Sequence, residues 1–234
     1  MTVLAFETSA KAGSVALLRD GVLLGESYQN TGLTHSQTMM VMAQELLAGC
    51  GLTAKDVEAV AVAAGPGSFT GVRIGVAAAK GFAWGSEKPC YGVSTLEAMA
   101  RNLGVWEGIV VCAMDARRSQ VYNAVFRARE GTLTRICQDR AISLEELAEE
   151  LKNYKEPLFL VGDGAKLCYN TLCKDIPGLI LPPEHRQHQR AAGVALAAME
   201  RINAGEIGDG NAMEPNYLRL SQAERERLSR QENK

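Results

Sequence analysis

Apolar and polar positions change period several times along the chain, and each change predicts an element. Val3–Thr8 is an apolar run that closes on polar residues and reads as a buried strand. Ser14–Arg19 and Val22–Tyr28 read as two more strands, joined at Asp20-Gly21, a pair suited to the backbone angles of a tight hairpin. Thr34–Cys50 carries apolar residues at helical spacing, and Thr53–Val57 adds one turn capped by Thr53. Glu58–Ala63 predicts a strand, and Thr70–Trp84 and Ser94–Asn102 predict helices. The alternation then restarts. Ile109–Asp115, Gln120–Arg127 and Thr132–Gln138 are strand-like, and Ser143-Leu144-Glu145-Glu146 is a capping box opening a helix to about Asn153. Leu158–Val161 predicts a strand, Gly162-Asp163-Gly164 opens another helix, and Arg190–Asn203 predicts one more. The charged residues after Ser221 predict a surface helix.

A strand-hairpin-strand unit is thus followed twice by alternating helix and strand. This pattern predicts a duplicated α/β architecture, with a mixed sheet in each half and a boundary near Leu103-Gly104. The predicted domains are residues 1–103 and 104–234, with the last helices packing back on the first half. Of the 234 residues 47% are hydrophobic, enough for a sizeable core. Twenty-five basic residues against 27 acidic ones give a net charge of −2. No basic surplus marks an autonomous nucleic-acid binder, which leaves room only for a local basic patch. The six cysteines form no Cys-x-x-Cys pair, no basic leader precedes the first apolar run, and no run has membrane-spanning length. The expectation is a soluble cytoplasmic protein with reduced thiols.

Candidate chemistry centres on Ala64-Gly65-Pro66-Gly67-Ser68-Phe69-Thr70-Gly71-Val72-Arg73-Ile74-Gly75, a glycine-rich strand-to-helix corner. Such a corner either offers amide groups and a helix dipole to an anion or lets strand and helix pack closely. It lacks the Lys-Ser/Thr ending of a Walker A loop, and Ser68 lies outside a Gly-x-Ser-x-Gly elbow. Gly162-Asp163-Gly164-Ala165 reads either as an adenosine contact or as a turn with Asp163 as N-cap. Asp115 and Arg117 either face a cleft or form a local turn and ion pair. Of the three histidines, His35 reads as a surface or capping residue, and His185 and His188 share a polar loop after Pro182-Pro183.

Phe6-Glu7-Thr8-Ser9, the Asp20-Gly21 hairpin, Gly65-Pro66-Gly67-Ser68-Phe69-Thr70-Gly71-Val72-Arg73, Met114-Asp115-Ala116-Arg117-Arg118 and Asn216-Tyr217-Leu218-Arg219 together resemble the bacterial TsaB family. The resemblance covers essentially the whole chain. It implies the two-lobed fold of actin, Hsp70 and sugar kinases, and a role in making threonylcarbamoyladenosine on tRNA. In that pathway TsaD transfers threonylcarbamoyl from its adenylate to N6 of the adenosine next to the anticodon. TsaB is the catalytically degenerate relative that partners TsaD, with the ATPase TsaE joining them. The resemblance further implies a homodimer when the chain is alone, indirect engagement of tRNA, no membrane, and ATP or ADP only in complex with partners. Two departures from TsaD bear on chemistry. Its carboxylate pair after Glu-Thr-Ser falls here on Lys11 and Ala12, which cannot position metal or water. Its metal-binding histidines, four apart on a helix, fall on Thr95 and Met99, a poor pair for a divalent catalytic metal. A metallopeptidase reading fails on the same missing imidazoles.

Two functions follow as expectations. The first is a non-catalytic partner subunit. Helices Thr34–Cys50 and Thr70–Trp84 are apolar on more than one face, and Gly71, Gly75 and Ala79 recur every fourth residue. The resemblance implies a four-helix bundle with TsaD through Met39, Met42, Ala43, Leu46, Val72, Gly75, Ala78, Ala79 and Phe82. The second is a weak ATPase or phosphotransferase working in the cleft, where Glu7, Ser9, Gly67, Asp115, Arg117 and Gly164 are the candidate contacts.

Overall fold

The computed structural model describes residues 1–104 and 107–219. The first stretch builds β1 (Thr2–Glu7), β2 (Gly13–Arg19), β3 (Val22–Gln29), α1 (His35–Gly49), a 3-10 turn (Ala54–Asp56), β4 (Ala59–Gly65), α2 (Phe69–Ser86), β5 (Cys90–Ser94) and α3 (Thr95–Leu103). The second builds β6 (Gly108–Asp115), β7 (Gln120–Arg129), β8 (Thr132–Arg135), β9 (Arg140–Ser143), α4 (Leu144–Leu151), β10 (Leu158–Val161), α5 (Ala165–Leu172), β11 (Leu179–Ile180), a 3-10 turn (Glu184–Arg186) and α6 (Ala191–Asn203).

The first sheet runs β3-β2-β1-β4-β5. Its hairpin pairs are antiparallel, and the β1–β4 and β4–β5 pairs are parallel. The second runs β8-β7-β6-β10-β11 with the same alternation of antiparallel and parallel pairs, and β9 adds to β7. The sheet order is therefore repeated, and both sheets are mixed because hairpins reverse the chain while helical crossovers do not.

Period-two alternation sends opposite residues of one strand into different layers. Leu4 and Phe6 of β1, with Val15 and Leu17 of β2, pack under α1 and α2. Val3 and Ala5, with Ala16 and Leu18, face α6. Leu96 and Met99 of α3 pack on Val110 and Cys112 of β6, and Val111 and Leu160 face α4 and α5. The layers thus run α1/α2, first sheet, α3/α6, second sheet, α4/α5. The middle layer is tight: a Cβ on Gly193 would sit 2.0 Å from the Ala98 carbonyl oxygen.

Several details depart from the sequence reading. β5 was not predicted, because Pro89 and Gly92 break its apolar run; Gly92 is tolerated because Met213 and Ala64 crowd within 3.1 Å of where its side chain would start. β9 and the two-residue β11 were also not predicted. β8 stops at Arg135 rather than Gln138, since the amides of Ile136 and Cys137 both turn to the Val125 carbonyl. Gly164, not Asp163, is the N-cap of α5, and no side chain caps it. The helix expected after Ser221 lies outside the described residues. No helix among the described residues is long and apolar enough to cross a membrane.

Candidate functional site

The carboxyl ends of β1 and β10 bring the two halves together over Glu7 and Asp163. Glu7 ends β1 on the face toward the middle layer, opposite Ser14, whose hydroxyl oxygen accepts from the Ala191 amide at 2.7 Å. Glu7 is fully buried; its Oε1 accepts from the Ser9 amide at 2.6 Å, and its Oε2 has no partner among the described residues. Burial pushes its carboxyl up to about 7, and the charge of Asp163 pushes the same way. Asp163 accepts from Gln189 Nε2 at 2.8 Å. The floor between the halves is therefore acidic and sparsely bonded.

The glycine-rich corner closes against that floor rather than opening above it. The Ser68 amide donates to the Ser9 carbonyl at 2.7 Å, and a Cβ on Gly67 would lie 2.5 Å from the same oxygen. Gly71 and Gly75 seat α2 on Thr8: added Cβ atoms would lie 2.1 Å from its carbonyl oxygen and 2.2 Å from its hydroxyl. Their spacing therefore serves helix-on-strand packing, not the approach of a second helix that the sequence suggested. Gly164 plays a similar part in the second half, donating to the Ala113 carbonyl at 3.0 Å. His35 donates from Nε2 to the Ala10 carbonyl at 2.8 Å and covers Gly13. Asp115 and Arg117 form the local arrangement: the Arg117 amide donates to Oδ1 at 2.7 Å and its guanidinium to Oδ2 at 3.3 Å.

A nucleotide, which the fold family implies, does not fit these residues. The Ser68 amide is spent on Ser9, Gly67 and Gly71 sit against backbone carbonyls, and Glu7 and Asp163, which face the floor, are acids that offer phosphate no positive charge. Thr95 and Met99 are buried, and the Met99 sulfur lies against the β10–α5 corner near Gly162. Among the described residues, no group of three or more His, Cys, Asp or Glu gathers as metal ligands.

The outer surface of α1 and α2 is the second candidate. Met39, Met42, Ala43, Val72, Gly75 and Ala79 are buried against the first sheet, so the contacts expected of them with a partner are made within this chain. Leu46, Ala78 and Phe82 are half-buried. Outward-facing residues are their neighbours: Met40 is 44% exposed, Val41 51% and Trp84 86%. Met40 and Val41 edge an apolar groove of about 400 Å³ that Leu47, Leu52 and Phe82 also line. Beside Trp84, Ala77, Gly81 and Gly85 form an exposed row of small residues, and among the described residues Cβ atoms on the two glycines would meet nothing within 4 Å. The overlooked signal was there in the sequence: two helix-interior glycines flank a tryptophan, on the face opposite Gly71 and Gly75.

A C-terminal strap fastens α2 to the second half. Lys80 donates to the Met213 carbonyl at 3.1 Å, and the Asn216 amide to the Ala64 carbonyl at 2.6 Å. Tyr217 stacks on Phe69 at 4.2 Å and accepts from Arg73 at 2.7 Å. Arg219 then reaches the Ala116 carbonyl of the β6–β7 turn at 2.5 Å.

The family model described as TsaD, tRNA N6-adenosine threonylcarbamoyltransferase, matches residues 29–227. The chain is 33% identical to the tRNA threonylcarbamoyladenosine biosynthesis protein TsaB of Bacillus subtilis (strain 168), with 96% of each covered. It is 38% identical to the protein of the same description from Escherichia coli (strain K12), covering 94% of this chain and 95% of that one. The chain belongs to the TsaB family. The TsaB fold aligns with a Pseudomonas aeruginosa crystal structure, described as an uncharacterized protein with similarity to peptidase YeaZ, at a TM-score of 0.80 and 28% identity. That alignment covers 93% of this chain and 99% of the other. A 2-hydroxyisocaproyl-CoA dehydratase activator from Clostridium difficile, solved with ADPNP, matches at a TM-score of 0.51 and 12% identity, a likeness of fold alone.

Proposed function

We propose that this chain is the non-catalytic partner subunit of TsaD in threonylcarbamoyladenosine formation on tRNA. The supporting observation is the outer face of α1 and α2: an apolar groove, an exposed tryptophan and a row of small residues on helices whose other face already covers a sheet. A helix-interior glycine costs about 0.5–1 kcal/mol relative to alanine. Gly81 and Gly85 receive no packing in return from the described residues, whereas a second helix could approach closely over them. The acidic, closed floor between the halves supports the same reading, because it is ill suited to phosphoryl transfer. TsaD occupies the face, TsaE joins the pair, and a second copy of this chain takes the face when TsaD is absent.

Light scattering of this chain mixed with its cognate TsaD tests the proposal. The expected mass is that of the heterodimer, and a Val41→Asp/Ala78→Asp variant with unchanged circular dichroism is expected to remain monomeric. Undiminished pairing by that variant removes the proposed face. Calorimetry with ATP and magnesium tests the competing enzyme reading: stoichiometric micromolar binding by the isolated chain, with turnover lost in Gly164→Trp, overturns the non-catalytic assignment.

A further inference from the structure

The turn between β6 and β7 carries an unusual backbone. Arg117, Arg118 and Ser119 are consecutive left-handed residues, with φ of 66°, 56° and 54°. L-residues pay for that conformation, and glycine or asparagine would relieve it. Neither an arginine pair nor a serine suits this geometry, so the reason for these side chains lies outside the turn.

The strained turn is held from several directions. The Ala116 amide donates to the Gln120 carbonyl at 3.0 Å, Gln120 donates back to Arg117 at 3.2 Å, and Leu144 donates to the Ser119 carbonyl at 3.1 Å. Asp115 is spent on the Arg117 amide and guanidinium. Arg117 nonetheless leaves 85% of its side chain in solvent. Arg118 is exposed and has no hydrogen bond or ion pair among the described residues. Arg219, at the end of the strap, adds a third guanidinium at the same place. In a chain of net charge −2, three arginines at one hairpin tip form a local basic point.

We propose that this tip contacts the phosphodiester backbone of RNA directly. The inference rests on the tRNA-modification reading above and assigns this chain, not only its partner, a share of the RNA. An acidic protein surface is the competing occupant. Protein interfaces are built on an apolar centre, and the tip has none: Ala116 and Val121 on either side are buried. Guanidinium forks without apolar neighbours match contacts that position a backbone without reading bases. The tip lies at the end of β6 and is tied through Arg219 and Tyr217 to the start of α2, whereas the exposed row of Ala77, Gly81 and Gly85 lies further along that helix.

The test is fluorescence anisotropy of a labelled, unmodified tRNA transcript, titrated across a salt series with the chain alone and with its TsaD complex. Arg117→Ala/Arg118→Ala is expected to weaken binding roughly tenfold. It should lower the slope of log affinity against log salt by about 1.5–2, the equivalent of two lost phosphate contacts. Arg117→Lys/Arg118→Lys is expected to keep the slope. Arg118→Gly should raise Tm, because it releases strain, while still weakening RNA binding. An unchanged slope in the double alanine variant, with its heterodimer mass intact, overturns the proposal and leaves the partner reading standing. Loss of heterodimer mass with RNA binding unchanged overturns it in favour of an acidic protein surface. Failure of the unaltered chain to join TsaD counts instead against the partner reading.

Discussion

Glu7 is a buried side chain whose charge state is tied to folding between acid and neutral pH. Its ordinary value is 4.5, and burial raises it to about 7. A raised carboxyl leaves folding unpenalised below the unfolded value. As pH climbs from about 4.5 to about 7 the unfolded chain ionises first, so this group removes stability, after which the loss is constant. The difference amounts to about 3 kcal/mol. Glu7→Gln is therefore expected to raise Tm at pH 8 and to change it little at pH 4.5, as measured by thermal melts across that range; equal shifts at both ends would contradict the assignment. Two glycines give an opposed pair. Gly71→Ala, whose Cβ would press on the Thr8 carbonyl, should destabilise by about 1–3 kcal/mol. Gly81→Ala, open to solvent, should stabilise the isolated chain by roughly 0.5–1 kcal/mol and weaken pairing with TsaD. Denaturant titration and light scattering measure the two effects. In the sequence these glycines look alike, because composition does not reveal which backbone approaches them.

At the level of elements, β1, α1, β4, α2, β6 and β10 were legible from period, cap and turn, each within one or two residues of its observed bounds. The Asp20-Gly21 hairpin and the Ser143–Glu146 capping box are local chemistry and were legible for that reason. What stayed hidden depends on long-range contact. β5 is an edge strand supported by Met213, more than a hundred residues away in sequence. The docking contacts that the resemblance implies include Met39, Met42 and Val72, which α1 and α2 bury against the first sheet. The sheet takes the most apolar stripe, and the next one faces outward. The same logic makes α2 a shared element, with its inner face on Thr8, its outer face bare and its start held by Tyr217. Tyr217→Ala should lower stability by about 1–2 kcal/mol, since it removes a stacked pair and a hydrogen bond to Arg73. A melt within half a degree of the parent would show that the strap carries no such weight.

For the whole molecule, the repeated sheet order was readable as a restart of the strand-hairpin-strand pattern, and the last helices were expected to pack back on the first half, but the pattern did not single out α6. α6 comes late in the chain yet covers the inner face of the first sheet, with Val194, Ala195 and Ala198 against Val3, Ala5 and Leu18. During synthesis the strands that carry Val3, Ala5 and Leu18 leave the ribosome roughly 175 residues ahead of that helix. At the usual pace of roughly 5–20 residues per second, the nascent chain must keep a greasy surface out of trouble for about 9–35 s. A messenger truncated anywhere before the codons for α6 would yield a product with that surface permanently bare, and such fragments should be found with chaperones or in inclusion bodies.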